Sequence, residues 1–162
     1  MVSNNKVDAI GNLLEEFYEI YKQLNRDQIN ILLKEKLDKK YEEILNCVNE
    51  ISDFTEPGEK GATILGYATI FECLPLIKYL IEIKKVNVDL PDNTGGTSLI
   101  AAINRHNLDI IKYLVDHGAD VNAKSEHGET PLWWALERGS SNIIKYLVSK
   151  GANLDYKHPE ED

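Results

Sequence analysis

Residues 95–123 read GGTSLIAAINRHNLDIIKYLVDHGADVNA, and the key positions of this stretch return on either side of it. GATILGYA begins at Gly61, GGTSLIAA at Gly95 and GETPLWWA at Gly128, so G-x-T-x-L-x-x-A recurs after 34 and then 33 residues. A second block keeps pace: IKYLI from Ile77, IKYLV from Ile111 and IKYLV from Ile144. The units close with KKVNVD at 84–89, GADVNA at 118–123 and GANLDY at 151–156. A period of this length marks supersecondary units that stack, because one unit alone cannot bury its apolar face.

Each unit holds two helices. Leu99, Ala102 and Ile103 are spaced for one helix, and Leu108, Ile111, Leu114 and Val115 for a second, with a polar break at His106 and Asn107. Thr97 and Thr130 stand where a helix takes its N-cap, and Pro131 occupies the first helical position, where a missing N–H costs nothing. Gly118 and Gly151 end the second helices and permit a left-handed turn.

The combination of G-x-T-P-L-x-x-A, an apolar second helix and G-A-D-V-N-A resembles the ankyrin repeat. The resemblance covers about residues 55–156, in units of about 55–91, 92–124 and 125–156. It implies an all-α solenoid of antiparallel helical hairpins, with loops projecting at right angles and a concave face made of loop tips and first helices. It also implies a protein-binding scaffold. The first unit departs from the pattern: it lacks the Pro after Thr63 and carries an extra residue around Lys84 and Lys85, while Pro75 fits the start of its second helix. Where the family usually has His after Pro-Leu, this chain has Gly66, Ile100 and Trp133, so no unit keeps the histidine that ties down the loop.

Residues 1–54 lack the repeat blocks but are strongly amphipathic. Val7, Ile10, Leu13, Leu14, Phe17, Ile20, Tyr21 and Leu24 form one helical stripe. Asn25 with Gln28 is a start signal for a second helix. Ile29, Leu32, Leu33, Leu37, Tyr41, Ile44, Leu45, Val48 and Ile51 then continue the stripe, with an interruption expected near Asp38. A repeat stack leaves an apolar face open at each end, so this segment is expected to cap it, with a degenerate unit at 29–54 as one form of that cap. The alternative is an independent hairpin that binds a partner or dimerises. Residues 157–162 form an acidic tail, expected to be mobile.

With 162 residues, 43% apolar and 28% charged, the composition is that of one globular domain. No apolar run approaches the roughly 18 residues of a membrane span, and the first residues mix acids with apolar positions, so a cytoplasmic location is expected. Cys47 and Cys73 lack metal-ligand or redox spacing and read as reduced structural thiols. The net charge of −9 repels nucleic acid and anionic lipid and favours a basic partner, although solubility alone also calls for such charge.

No catalytic residue, metal or cofactor is expected. His106, His117, His127 and His158 are not paired with Cys or Asp at ligand spacing, and no Lys follows Gly95 to Ser98 as a phosphate cradle requires. The family's variable contact positions fall by resemblance on Glu59, Lys60, Ala62, Ile70 and Phe71, then on Asn93, Thr94, Gly96, Asn104 and Arg105. In the third unit they fall on Lys124, Glu126, His127, Glu129, Glu137 and Arg138. Arg105 and Arg138 are 33 residues apart and should form one column with Phe71. Trp133, in the histidine position, reads as a groove anchor and Trp134 as core. The expected ligand is another protein, basic in the sharper reading, bound on the concave face by a monomer. Two functions compete: an immunity or antitoxin-like inhibitor blocking a basic bacterial toxin or enzyme, and an adaptor recruiting a cellular or host protein.

Overall fold

A computed structural model describes residues 2–26, 31–51, 54, 57, 58 and 61–155. Among these residues there are helices and no strands. They are α1 (Val2–Arg26), α2 (Ile31–Asn49), α3 (Ile64–Ile70), α4 (Leu74–Lys78, continued by a wider turn at Tyr79–Ile83), α5 (Ser98–Asn104), α6 (Leu108–Asp116), α7 (Pro131–Glu137) and α8 (Ser141–Ser149). The first helices α3, α5 and α7 pack against one another in sequence, and each pairs with its own second helix. The described residues therefore form an all-α stack of helical hairpins.

Local chemistry starts and stops these helices. The Thr63 hydroxyl accepts from the Gly66 N–H at 2.9 Å and that of Thr130 from the Trp133 N–H at 3.2 Å. Thr97 stands at the same N-cap position, but its side chain makes no cap hydrogen bond. Asn107 caps α6 by accepting from the Ile110 N–H at 3.1 Å. At the ends of the second helices the chain turns at Lys85, Gly118 and Gly151, with φ of 56°, 96° and 90°. Glycine bears this conformation freely, whereas a lysine Cβ is crowded by the backbone.

The extra residue of the first unit has a definite structural home. Leu80 precedes Leu114 by 34 positions, but Lys85 precedes Gly118 by 33, so the insertion lies between Leu80 and Lys85. There the helix widens: the Lys84 N–H reaches back to the Tyr79 carbonyl at 3.1 Å and the Val86 N–H to Leu80 at 3.0 Å. A π turn of this kind absorbs one residue without breaking the helix.

One continuous core runs through the stack and into the amino-terminal helices. Leu76, Ile77, Leu80, Ile103, Ile111, Leu114 and Leu147 are fully buried, each worth about 1.5–3 kcal/mol of transfer free energy. Helix α1 packs on both α2 and α3, placing Val7, Ile10 and Leu14 beside Ile44 and Val48 in that core. Tilted Phe17 and Tyr41 rings, 6.1 Å apart, and a Lys40 ammonium 2.8 Å from Glu16 tie α1 to α2. Helix α2 runs unbroken through Asp38, correcting the expected interruption: the helical hydrogen-bond ladder tolerates an exposed aspartate. Among the described residues of 29–54 there is only this helix, so a two-helix unit built from described residues at this end requires α1 as well. Gln28, Ile29 and the 157–162 tail lie outside the described residues.

The opposite end of the stack is of a different kind. Ile103 and Val121 are buried between units, yet Leu136 and Leu154, one period later, are 55% and 69% exposed. The last unit carries the apolar pattern of an internal one.

Candidate partner-binding groove

The loops fold back on themselves before each first helix. The N–H of Gly58 donates to the Ala62 carbonyl at 2.9 Å, that of Asp92 to Gly96 at 2.8 Å and that of Ser125 to Glu129 at 3.0 Å. Side chains complete two of these closures without the family histidine. Asp92 Oδ1 accepts from the N–H groups of Thr94 and Gly96, both at 2.8 Å, and from the Thr94 hydroxyl at 2.7 Å. Ser125 Oγ accepts from the His127 and Glu129 N–H groups at 3.3 Å and donates to Glu129 Oε2 at 2.9 Å. Neighbouring loops are joined sideways, by Asn93 N–H to the Gly61 carbonyl at 2.9 Å and Glu126 N–H to that of Thr94 at 3.1 Å. At this junction Gly95 comes so near that an added Cβ would stand 2.5 Å from the Glu126 nitrogen.

Behind the loops lies an open pocket of about 250 Å³. Ile70, Ile100, Ala101 and Trp134 wall it, Asp92, Thr94, Ser125 and Glu129 edge it on the loop side, and Asn104 and Arg105 close it at the helix ends. Trp134 thus borders the groove and is half-buried while also packing against the core with its indole nitrogen buried, so its reading as a core residue holds for only part of the ring. Ala101 occupies the equivalent position one unit earlier, and its small side chain leaves the space that the Trp134 ring borders. Trp133 is also half-buried, and its ring meets that of Trp134 edge-on at 4.9 Å.

The column at the carboxyl ends of the first helices reads Phe71, Arg105, Arg138. Phe71 is half-buried against the Tyr18 ring of α1, 6.1 Å away. Arg105 lies with its guanidinium 5.5 Å from the same ring, donates to the Tyr18 hydroxyl at 2.7 Å and stands 3.7 Å from Glu72. Glu72 also accepts from Tyr18 at 3.2 Å and from Asn107 Nδ2 at 2.8 Å, so one carboxylate joins α1 to the first two units. Arg138 rests 5.6 Å from the Trp134 ring centre and donates through Nε to Asn104 Oδ1 at 2.9 Å. It makes no ion pair among the described residues.

The pocket therefore gathers Ile70, Thr94, Gly96, Asn104, Arg105 and Glu129 from the sequence-derived set. Asn93, Lys124, Glu126 and His127 are exposed on the loops, Glu137 is exposed at the end of α7, and Glu59 and Lys60 lie outside the described residues. Sequence reasoning missed Asp92, Ser125, Thr97, Ile100, Ala101 and Trp134. The signal for the first pair was present: Asp92 and Ser125 occupy equivalent places 33 residues apart, each able to fold a short side chain onto its own loop.

Burial pushes the Cys73 thiol up to about 11, which keeps it protonated and inert at neutral pH. Burial, and then the bond to Asp8, push the Tyr67 phenol up to about 12. Among the described residues no three His, Cys, Asp or Glu side chains converge as a metal site, and no helix is long and apolar enough to cross a membrane.

Comparison with known proteins agrees with this architecture. A family model described as ankyrin repeats, in three copies, matches residues 25–125 and 65–158. The chain is 32% identical over 123 residues to alpha-latrocrustotoxin-Lt1a of Latrodectus tredecimguttatus, covering 75% of this chain and 8% of that protein. It is 32% identical over 93 residues to RelA-associated inhibitor of Mus musculus, covering 57% of this chain and 11% of that protein. Among solved structures, the ankyrin repeat domain of Bcl-3 superposes with a TM-score of 0.66 at 27% identity, covering 74% of this chain and 54% of that one. The chain thus spans about a tenth of the length of these two curated relatives.

Proposed function

Since the chain belongs to the ankyrin repeat family, we propose that it is a non-enzymatic module that binds another protein in the groove to which all three units contribute. Ankyrin repeats generally mediate protein–protein binding. The observation that carries the placement is the pocket walled by Ile70, Ile100, Ala101 and Trp134. It is an apolar concavity with polar groups at both ends, and its largest wall is one of the residue types that dominate binding hot spots. Tyr18 of α1 covers Phe71 of the first unit and reaches Arg105 of the second, which leaves Ile70, the second-unit wall and Trp134 as the open contact surface.

The net charge of −9 supports a narrower form of this reading, a cytoplasmic inhibitor that approaches a basic toxin or enzyme and covers its working face. An inhibitor of this kind loses affinity steeply with salt and silences an activity, whereas an adaptor does neither.

Ile70 lines the pocket at 37% exposure, so Ile70→Glu places a charge in the groove without disturbing the core. The test is capture from native lysate, at low and high salt, by the wild-type protein and by this variant in parallel. A protein retained by the wild type and lost from the variant supports groove binding. Equal retention by both puts the contact elsewhere and overturns the proposal.

A further inference from the structure

Arg105 in the pocket lining and Arg138 beside its Trp134 wall are held in unequal ways, and the difference points to the chemistry of the ligand. Arg105 is matched within the chain: its guanidinium stands on Tyr18 and 3.7 Å from the Glu72 carboxylate. Arg138 has the same place one unit later, but no acid there answers it. It is held by its Nε bond to Asn104 and lies 5.6 Å from the Trp134 ring, contacts that restrain the guanidinium while its terminal nitrogens make no ion pair among the described residues. A planar guanidinium restrained in this way has already lost much of its rotamer freedom and presents a fork that fits a carboxylate.

Other charges around the pocket do not supply that carboxylate. Asp92 is folded onto its own loop by three hydrogen bonds, and Glu129 is bonded to Ser125, both on the loop side of the pocket. The wall between is apolar, formed by Ile70, Ile100, Ala101 and Trp134, and its volume of about 250 Å³ suits a single large side chain. The net charge of −9 opposes an acidic ligand at long range, but at physiological salt that field is screened beyond about 8 Å, and contact chemistry then decides.

We propose that the groove recognises a partner segment in which an apolar side chain, seated against Trp134, is followed closely by an aspartate or glutamate bound by Arg138. This rests on the groove being the contact surface. It adds that the bound segment is locally acidic, even where the partner as a whole is basic.

The test is selection from a random peptide library displayed on phage, followed by titration of synthetic winners. Trp133 and Trp134, the only two tryptophans of the chain, report occupancy by their emission. The expected winners carry Asp or Glu beside an aromatic or aliphatic residue. Arg138→Gln should weaken them about 30-fold, the effect of losing one hot-spot contact, and Arg138→Lys should weaken them less. Each variant is first checked for an unchanged circular dichroism melt. Winners that lack an acid, or that bind Arg138→Gln as well as wild type, while Ile70→Glu still abolishes them, overturn this inference and leave groove binding standing. Winners indifferent to Ile70→Glu, or no enrichment over that variant, overturn both.

Discussion

The Tyr67 hydroxyl donates to Asp8 Oδ1 at 2.9 Å and so joins the first repeat to the amino-terminal helix across 59 residues of sequence. The same ring lies flat enough against α1 that a Cβ on Gly11 would stand 2.7 Å from it. Sequence separation and close approach together make this pair the seam between the two parts of the molecule.

Gly11→Ala should therefore invert the usual rule. In an open helix this change stabilises by about 1 kcal/mol, because glycine is a poor helix former. Here the methyl group meets a ring held by its bond to Asp8, and a loss of about 1–3 kcal/mol is expected. Tyr67→Phe should cost about 1–3 kcal/mol by removing a donor from a buried carboxylate. Urea unfolding of both variants checks the pair, and a stabilised Gly11→Ala protein would show that α1 does not sit as described.

Lys85→Gly should stabilise. Lys85 is exposed and its φ is 56°, the place taken by Gly118 and Gly151 in the other units. Relief of a left-handed lysine is worth about 1 kcal/mol, and thermal unfolding should show a higher midpoint. No change would mean that the π turn before it sets the local energy instead.

Lysine placed at Ile103 and at Leu136 should have opposite consequences, although the two positions are one period apart. Ile103 is fully buried between units, and a charge there should prevent cooperative folding. Leu136 is 55% exposed, and Leu136→Lys should stay within about 0.5 kcal/mol of wild type. Denaturation curves distinguish them directly. A large loss at Leu136 would reveal a cover over the last unit.

Alkali should weaken the fold through its tyrosines. Burial raises Tyr41 to about 12 and, with the Asp8 bond, Tyr67 to about 12, above an ordinary value of 10.0. A phenol whose folded pKa lies above its unfolded value favours the folded state at all pH below 10, and that contribution is lost as pH rises from about 10 to 12. The tyrosinate absorbance lost in Tyr41→Phe and in Tyr67→Phe, relative to wild type, should be the part that appears together with unfolding in this window. If that part instead appears near pH 10 while the protein remains folded, the burial of the ring is contradicted.

Much of the fold was legible because repetition makes each position appear three times. Leu65, Leu99 and Leu132 are all buried, and so are Ala68, Ala102 and Ala135, as a shared motif demands when each unit packs on the next. The groove was less legible for the same reason. Its working residues are those that differ between units, and at Trp134 the equivalents are Tyr67 and Ala101, so no average indicates a direction. Placing Trp134 in the core followed from its neighbour Ala135, which is buried, but one residue along a helix is a rotation of about 100°.

The sequence by itself determined the repeat period, the paired helices, the positions of their caps and turns, and the place of the inserted residue, because these depend on local backbone chemistry and on apolar spacing. Tertiary structure alone decided that Tyr18 covers Phe71 and matches Arg105, that Trp134 lines the pocket, and that Arg138 is oriented without an acid. Those relations join side chains from different units, and their geometry is fixed only when the helices have packed and each ring and charge has found what stands opposite it.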